Sequence, residues 1–227
     1  KEFRQNSEHI QIVSKTDKDG IDIRIAPFTK SENVHIPVIL SKSGFHDLVY
    51  NDFFVGEGAD VTIVAGCGIH NCGGEDSRHD GIHTFYVGKH SHVKYTEKHY
   101  GDGDGTGGRI MNPQTVVYLE EGATIQMETV QIRGIDSTKR ETKIVCGKDA
   151  EAVVTERLMT HGEQVAESDM EVSLDGEAYD DEESRNTELR VLSLNEQYAT
   201  TVFSIECLTE DGTVAAKYER DQLVGLH

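Results

Sequence analysis

Four segments in the middle of the chain share one pattern of apolar and polar positions. Each has an apolar residue, a short polar or glycine-rich turn, and then alternating apolar positions. They are VGEGADVTI (55–63), VGKHSHVKY (87–95), LEEGATIQM (119–127) and CGKDAEAVV (146–154), so the first three follow at a constant offset of 32 and the fourth at a shorter offset of 27. Alternation is the period of a half-buried strand, and glycine or aspartate in a turn tolerates a positive φ. The pattern therefore predicts repeated strand–turn–strand units.

Further alternating segments lie between these repeats and predict further strands. They are HTFYV (83–87), QTVVYL (114–119), ETKIV (141–145) and VAESDMEVSL (165–174). A sandwich of hairpins and a solenoid of stacked coils both accommodate such strands. The constant offset favours the solenoid, because stacking requires like residues in register.

Helical spacing is confined to the end of the chain. In TVAAKYERDQLVGLH (213–227), Val214, Ala215, Tyr218, Leu223 and Leu226 roughly follow a helical period. This spacing predicts a small C-terminal helix. The acidic, turn-rich segment 175–186 before it is interpreted as a solvated loop.

The negative charge of the chain disfavours some classes of binding partner. With 41 acidic and 22 basic residues the formal net charge is −19, which disfavours binding to a phosphate backbone. No apolar run approaches the roughly 18 residues of a membrane span, and the first residues lack the apolar region of a signal peptide. Four cysteines at irregular spacing do not resemble a secreted disulfide framework. We therefore expect a cytoplasmic protein with reduced thiols and no contact with nucleic acid or membrane.

The stretch GCGIHNCGGEDSRHDGIH, residues 66–83, has the candidate chemistry. Its spacing C-x4-C-x6-H-x3-H resembles a zinc finger, but six residues separate Cys72 from His79 where about 12 are usual. A catalytic metal site that uses His79, His83 and a nearby carboxylate is one alternative. A nucleophilic cysteine with a histidine base is another. An inter-strand loop that holds Cys67 and Cys72 is the interpretation we prefer.

The glycine-rich stretch HYGDGDGTGGRIMNP (99–113) fits none of the nucleotide or calcium motifs. Arg109 and Ile110 stand where a Walker loop has lysine and serine or threonine, and Pro113 replaces the glutamate of an EF-hand. We expect a loop that links two strands.

The order of these motifs resembles the SufB/SufD family of iron–sulfur cluster assembly proteins. The similar segments are 68–123, QIRGIDSTKRETKI (131–144) and ERLMTHGEQVAESDMEVSLDG (156–176). The resemblance implies a right-handed parallel β-helix, with short flanking segments. The expected division is a strand-rich lead-in (1–50), a SufB/SufD-like core (51–176), and final strands with the helical segment (177–227).

The resemblance also implies a function. It indicates a non-enzymatic scaffold or adaptor that works with a SufC-type ATPase and holds a transient iron–sulfur cluster, with no tightly bound cofactor. Expected partners are that ATPase, a second copy or a SufB/SufD paralogue in a dimer, and a sulfur-donor protein.

Residue roles follow from the same resemblance. The IEC at 205–207 is similar to the family segment that holds a cluster-building cysteine, so Cys207 is the first candidate, although Leu208 replaces the expected aspartate. Cys67 and Cys72 are further candidates, because nascent clusters need thiolate ligands and accept imidazole or carboxylate in place of some of them. Cys146 occupies an apolar position and is expected to be structural. The end of the chain is similar to the ATPase-docking segment, so its candidate partner-binding residues are Tyr218, Leu223 and Leu226.

Overall fold

The computed structural model describes residues 4–174, 186–195, 200–208 and 214–222. Every regular element within these ranges is a β-strand. The strands are β1 (Ile10–Ser14), β2 (Gly20–Ile25), β3 (Lys30–Leu40), β4 (His46–Val55), β5 (Asp60–His70), β6 (Ser77–Val87), β7 (His92–Asp102), β8 (Arg109–Met111), β9 (Gln114–Leu119), β10 (Thr124–Arg133), β11 (Ser137–Cys146), β12 (Glu151–Thr160), β13 (Val165–Leu174), β14 (Asn186–Asn195), β15 (Thr200–Leu208) and β16 (Val214–Gln222).

From β2 to β15, successive strands run alternately in two sheets, with β8 and β9 sharing one strand position. Sheet A has the order β1-β2-β4-β6-β8-β11-β13-β15-β16, with β9 between β6 and β11 beyond β8, and sheet B has the order β14-β12-β10-β7-β5-β3. Neighbouring strands pair in parallel, except for β1 with β2 and β15 with β16 at the two ends of sheet A. The chain therefore winds as a parallel β-solenoid, which confirms the predicted fold class. Parallel pairing continues on both sides of residues 51–176, and the predicted division of the chain stays a prediction.

The spacing of the coils is the spacing read from the sequence. Asp60 pairs with His92 and His92 pairs with Thr124, so each of these coils repeats the offset of 32. Thr124 then pairs with Glu151, which repeats the shorter offset of 27. Equivalent residues of the repeated segments consequently lie beside one another on sheet B.

The turns that lead into the sheet-B strands also stack. The second residue of each turn has a positive φ: Phe28 (60°), Gly58 (64°), His90 (56°), Gly122 (64°) and Asp149 (53°). In the first four of these turns, the amide of that residue donates to a carbonyl of the following turn, as from His90 to Glu121 at 3.0 Å and from Gly122 to Lys148 at 2.8 Å. Glycine occupies two of these five positions, where it adopts without strain a backbone conformation that is costly for most L-residues.

In cross-section, the interior of the solenoid is apolar at two opposite corners and polar between them. Next to the stacked turns lies the main core, in which the rings of Phe53 and Phe85 stack with centroids 4.3 Å apart. At the opposite corner a smaller apolar cluster contains Leu40, Cys67, Ile69, Met111 and Ile135. Between them, inward positions of β6, β7 and β11 are histidine, glutamate and arginine. The solenoid thus encloses a buried polar layer.

The opposite corner has two long connections. Residues 71–76 join β5 to β6, residues 103–108 join β7 to β8, and we call these two loops together the extended corner. They stack through hydrogen bonds from the Gly105 amide to the Asn71 carbonyl at 3.1 Å and from the Gly107 amide to the Gly73 carbonyl at 3.0 Å. Of the predicted loop 99–113, only residues 103–108 and the two residues between β8 and β9 lie outside strands.

The predicted C-terminal helix is wrong for Val214–Gln222, which is strand β16, antiparallel to β15. An exposed strand edge such as that of β15 presents unpaired backbone groups, and pairing with it outweighs a weak helical spacing. Tyr218 pairs with Ile205 across these strands, whereas Leu223 and Leu226 lie outside the described residues.

In the described part of the chain, no helix has the length and apolar character needed to cross a bilayer.

Candidate functional site

The polar layer inside the solenoid forms one cluster, which we call the interior cluster. Its members are Cys67, His83, Tyr95, Glu97, His99, Arg140 and Glu156, each at most 4% exposed. Strand register brings them together. Cys67 on β5 pairs with His99 on β7, and Glu97, two residues before His99, points into the same interior.

Arg140 is the central cation of the interior cluster. It reaches from β11 in sheet A across to sheet B, where its Nη1 donates to Glu97 Oε2 at 2.9 Å. Its Nη2 lies 3.2 Å from His99 Nδ1, and its Nε lies 3.5 Å from Glu156 Oε1. One guanidinium therefore holds two carboxyl groups and an imidazole, all hidden from water.

Burial sets the protonation of these groups. Burial alone would raise the pKa of Glu97, but its contacts with His99 and Arg140 hold that pKa well below the usual value, so the carboxylate is ionised. Burial lowers the pKa of His83 and of His99, which keeps both imidazoles neutral at pH 7. Burial, and after it the charge of Glu97, raises the pKa of the Cys67 thiol. The resting cluster thus contains a protonated thiol beside a carboxylate.

Three members of the interior cluster can converge on a metal ion. Among the described residues, Cys67, Glu97 and His99 form the group whose ligand atoms all lie within 4.8 Å of one another. A thiolate, an imidazole and a carboxylate together suit transition metals such as iron or zinc. The side-chain amide of Gln131, which pairs in register with His99, is fully buried and has no hydrogen-bond partner among the described residues. An orphaned amide beside the donors is consistent with a ligand in this layer.

Arg140 competes with such a metal. His99 Nε2 lies 3.2 Å from Glu97 Oε1, and Arg140 donates to Nδ1, so the neutral ring has its proton on Nε2. A metal at Nε2 requires that proton to leave and the guanidinium to withdraw. Metal binding also releases the proton of Cys67.

His79 and His83 lie on β6 and both point inward, with Gly81 between them. A side chain at Gly81 would place its Cβ 3.4 Å from His79 Nε2 and 3.3 Å from His83 Nε2, so both nitrogens face the space that glycine leaves. His79 Nδ1 lies 2.9 Å from a carboxylate oxygen of Asp47, and His83 Nδ1 lies 2.8 Å from the Tyr95 hydroxyl. Neither belongs to the three-donor group above.

The three candidate cysteines are not brought together. Residues 66–83 are not one inter-strand loop: Cys67 lies on β5 and is buried, and only Cys72 lies in the loop, where it is exposed. The apolar alternation of β5 continues through Cys67, which explains its burial. Cys207 lies on β15, next to the last strand of sheet A and four strand positions along that sheet from β6. At about 4.8 Å for each position, β15 lies roughly 19 Å from β6, the strand that follows the loop with Cys72.

Cys146 is buried within the main apolar core, as expected of a structural cysteine. It therefore provides a reference thiol for the three candidates.

Glu97, His99 and Arg140 were missed by the sequence reading. The signal was present, since Glu97 and His99 continue the inward phase of Val93 and Tyr95, and Arg140 shares the phase of Thr142 and Ile144. Charged residues in the buried phase of a strand are rarely buried without partners. Their position therefore pointed to an enclosed polar site.

Comparisons with known proteins identify no relative. No family model, no curated protein and no solved structure matches the chain.

Proposed function

We propose that the protein is a scaffold of iron–sulfur cluster assembly, of the SufB/SufD kind, that acts with a SufC-type ATPase. The observation that carries the proposal is the convergence of Cys67, Glu97 and His99 inside a parallel β-solenoid. The motifs of the sequence that resemble this family support it, and so does the solenoid fold that the resemblance implied.

The donor set suits iron as a transient cargo. A thiolate with a carboxylate and an imidazole binds iron, but more weakly than a cage made only of thiolates, so iron can be passed on. Arg140 holds Glu97 and His99 in place while the site has no metal, and returns to them when iron leaves. The protein's part is to bind and release, and ATP hydrolysis belongs to the partner.

Further parts of the proposal concern the ends of the solenoid. Cys207 completes a cluster at the C-terminal end, where β15 and β16 close sheet A. The protein pairs there with a second copy or with a SufB/SufD paralogue, and residues 214–227, including Tyr218, Leu223 and Leu226, dock the ATPase. A sulfur-donor protein supplies sulfide, and the assembly works in the cytoplasm.

Anaerobic reconstitution of the full chain with ferrous iron and sulfide tests the proposal. We expect a labile cluster that absorbs visible light, with iron and acid-labile sulfide in similar amounts. Cys67→Ala should lose the iron held in the interior cluster, Cys207→Ala should abolish or severely reduce the cluster at the C-terminal end, and the double variant should keep about a tenth of the iron or less, because each change removes a thiolate ligand from a different site. Glu97→Gln, which keeps the shape of the side chain, reduces the iron of the interior cluster as well.

Cys146→Ala is the matched control, since it removes a buried thiol from the apolar core and should leave reconstitution unchanged. Circular dichroism of each variant confirms that the solenoid is intact. If Cys67→Ala, Cys72→Ala, Cys207→Ala and Cys146→Ala all reconstitute like the parent chain, the direct scaffold role is wrong. Binding to the ATPase, and its loss on deletion of residues 214–227, then tests the adaptor role alone.

A metal-dependent enzyme is the second candidate, and the gap at Gly81 favours it. A metal ligated by the Nε2 atoms of His79 and His83 has its ligands oriented by Asp47 and Tyr95. One zinc or manganese ion per chain, retained by Cys67→Ala and lost from His79→Ala, supports this candidate. Gly81→Ala, which places a methyl group in the gap, should lower that metal content too.

A further inference from the structure

A second group of reactive side chains lies outside the interior cluster, at the extended corner. His70 ends β5 and Asp102 ends β7, and the two residues are register partners. His70 Nδ1 lies 2.7 Å from Asp102 Oδ1, and Cys72 Sγ lies 3.1 Å from His70 Nε2. Thiol, imidazole and carboxylate thus stand in line, with the imidazole in the middle.

The order of these contacts fixes their roles. A carboxylate only accepts hydrogen bonds, so the neutral imidazole donates its Nδ1 proton to Asp102. Nε2 is then the acceptor, and the thiol of Cys72 donates to it. This is the arrangement in which a histidine removes the proton of a nucleophilic cysteine and a carboxylate orients the ring.

The backbone around the thiol is held in place by Asn71, which is fully buried. Its Nδ2 donates to the Glu75 carbonyl at 2.9 Å and to the Gly107 carbonyl at 3.1 Å, and its Oδ1 accepts from the Gly73 amide at 3.0 Å. Cys72 is exposed, and Gly73 and Gly74, which follow it, have no side chains to cover the sulfur. The thiol is therefore fixed and open to solvent.

The exposure of Cys72 and the charge around it indicate which kind of electrophile can react with the thiol. A thiolate attacks a sulfur–sulfur bond in line and needs neither a substrate cavity nor an oxyanion hole. The loops of the corner contain Glu75, Asp76 and Asp104, beside Asp102, and no lysine or arginine. Negative charge of this density attracts cations and repels anions.

We propose that Cys72, His70 and Asp102 form a thiol-exchange site that takes sulfur from positively charged disulfides or persulfides. Cys72 Sγ gives its proton to His70 Nε2 and forms a bond to one sulfur of the donor. The donor's sulfur–sulfur bond breaks, and its electron pair leaves on the other sulfur, which takes the proton back from His70. Cys72 is oxidised to a mixed disulfide or persulfide, and the leaving sulfur is reduced to a thiol.

Modification of Cys72 in the full chain, measured by mass spectrometry of the peptide that contains it, tests the proposal. Cystamine is the cationic disulfide, glutathione disulfide the anionic one, and cysteamine persulfide tests transfer of a single sulfur atom. We expect cystamine to react about tenfold faster than glutathione disulfide, relative to an unstructured cysteine peptide, and added salt to narrow the ratio. Addition of cysteamine or of one sulfur atom identifies the kind of donor.

His70→Gln should slow the reaction of Cys72 with cystamine about tenfold or more at pH 7, because glutamine cannot take the proton. Asp102→Asn should slow it less and steepen its dependence on pH, an effect that a purely structural change does not produce. His92→Gln, which removes an exposed histidine bonded to Thr124, is the matched control. Buried Cys67 and Cys146 report unfolding, since their labelling rises if a variant opens.

A rate for His70→Gln within about twofold of the parent rate, with Cys67 still protected, overturns the thiol-exchange site. Equal relative rates for cystamine and glutathione disulfide overturn the choice of a cationic donor. Neither measurement uses iron, so a failure here is distinct from a failure of the scaffold proposal.

Discussion

Replacement of Arg140 by methionine distinguishes the metal-free interior cluster, which the guanidinium stabilises, from the metal-bound cluster, which does not need it. The guanidinium is 1% exposed, and it contacts Glu97 and Glu156, whose side chains are equally buried. Methionine fills similar space without charge, so Arg140→Met leaves two carboxyl groups in the interior with no cation. Without metal the variant should be much less stable, and with metal it should recover.

The magnitude follows from the burial of the pair. Removal of one partner from a buried ion pair costs about 3–5 kcal/mol, because the remaining charge is left without compensation. Natural domains are stable by about 5–15 kcal/mol, so the loss is a large part of the total. Arg157→Met is the matched control, since Arg157 pairs with Glu128 at the surface with 43% of its side chain exposed. That change should cost about 1 kcal/mol or less.

Urea denaturation followed by circular dichroism measures both losses. Repeating it with ferrous iron under anaerobic conditions, or with zinc, tests the competition between guanidinium and metal. A metal at 100 times its dissociation constant adds about 2.7 kcal/mol to the free energy of unfolding. We expect such a gain for Arg140→Met at lower metal concentrations than for the parent chain.

Two results would refute the reasoning. A cost of about 1 kcal/mol or less for Arg140→Met, equal to that of Arg157→Met, would show that the buried pair is not formed. A large cost with no gain from metal, together with no bound metal in the variant, would show that Cys67, Glu97 and His99 do not act as ligands. Addition of Glu97→Gln to Arg140→Met should restore part of the lost stability, because it removes one of the uncompensated charges.

Three further predictions concern stability. Because burial lowers the pKa of His83 and His99, the unfolded chain takes up protons below about pH 6.5 that the folded chain does not. The free energy of unfolding should therefore fall with decreasing pH, by up to about 1.4 kcal/mol per pH unit for each histidine. It should fall further below about pH 4.5, where Glu97 takes up a proton in the unfolded chain but stays ionised in the folded one. Urea denaturation of the double variant His83→Gln/His99→Gln should show a shallower fall. Gly122→Ala should cost about 1–2 kcal/mol because its φ is 64°, whereas Asp149→Gly at the equivalent turn should cost little or stabilise, and equal thermal melting of the two variants would contradict this. Phe85→Ala should cost about 3–5 kcal/mol, since the ring is fully buried and stacks on Phe53, while Tyr86→Ala on the outer face should cost less in the same measurement.

The coil spacing and several strands could be predicted because residues close together in the sequence determine them. The segments 114–119 and 165–174 are β9 and β13 with the same bounds. Alternation of apolar residues, and a turn residue that tolerates positive φ, act over short stretches of sequence. Stacking then needs only that like segments recur, which the constant offset between the repeats revealed.

The site could not be predicted in the same way, because its contacts are distant in sequence. Arg140 and Glu97 are 43 residues apart and lie on different sheets. The sequence around each residue does not identify its ion-pair partner, so each resembles an ordinary charged residue in contact with solvent. The interpretation of residues 66–83 as one inter-strand loop includes Cys67, although the apolar alternation of β5 places this residue inside. The terminal helix is wrong for a different reason, since only residues 209–213 separate β15 from β16: the alternation that pairs the two strands is weak in Val214–Gln222 and lies beside a rough helical spacing.

The connection on the side of the extended corner differs in length from coil to coil, and the register of the strands inside is unchanged. The chain from His92 to Ile110 is longer than the chain between their partners Thr124 and Ser137, yet both pairs stay in register. Insertions and deletions at this corner are therefore separated from the packing of the core. A lineage of such proteins can change its surface chemistry there by gaining or losing short peptides, one coil at a time. For an engineer, the same corner is a place to graft a binding loop while the solenoid keeps its shape.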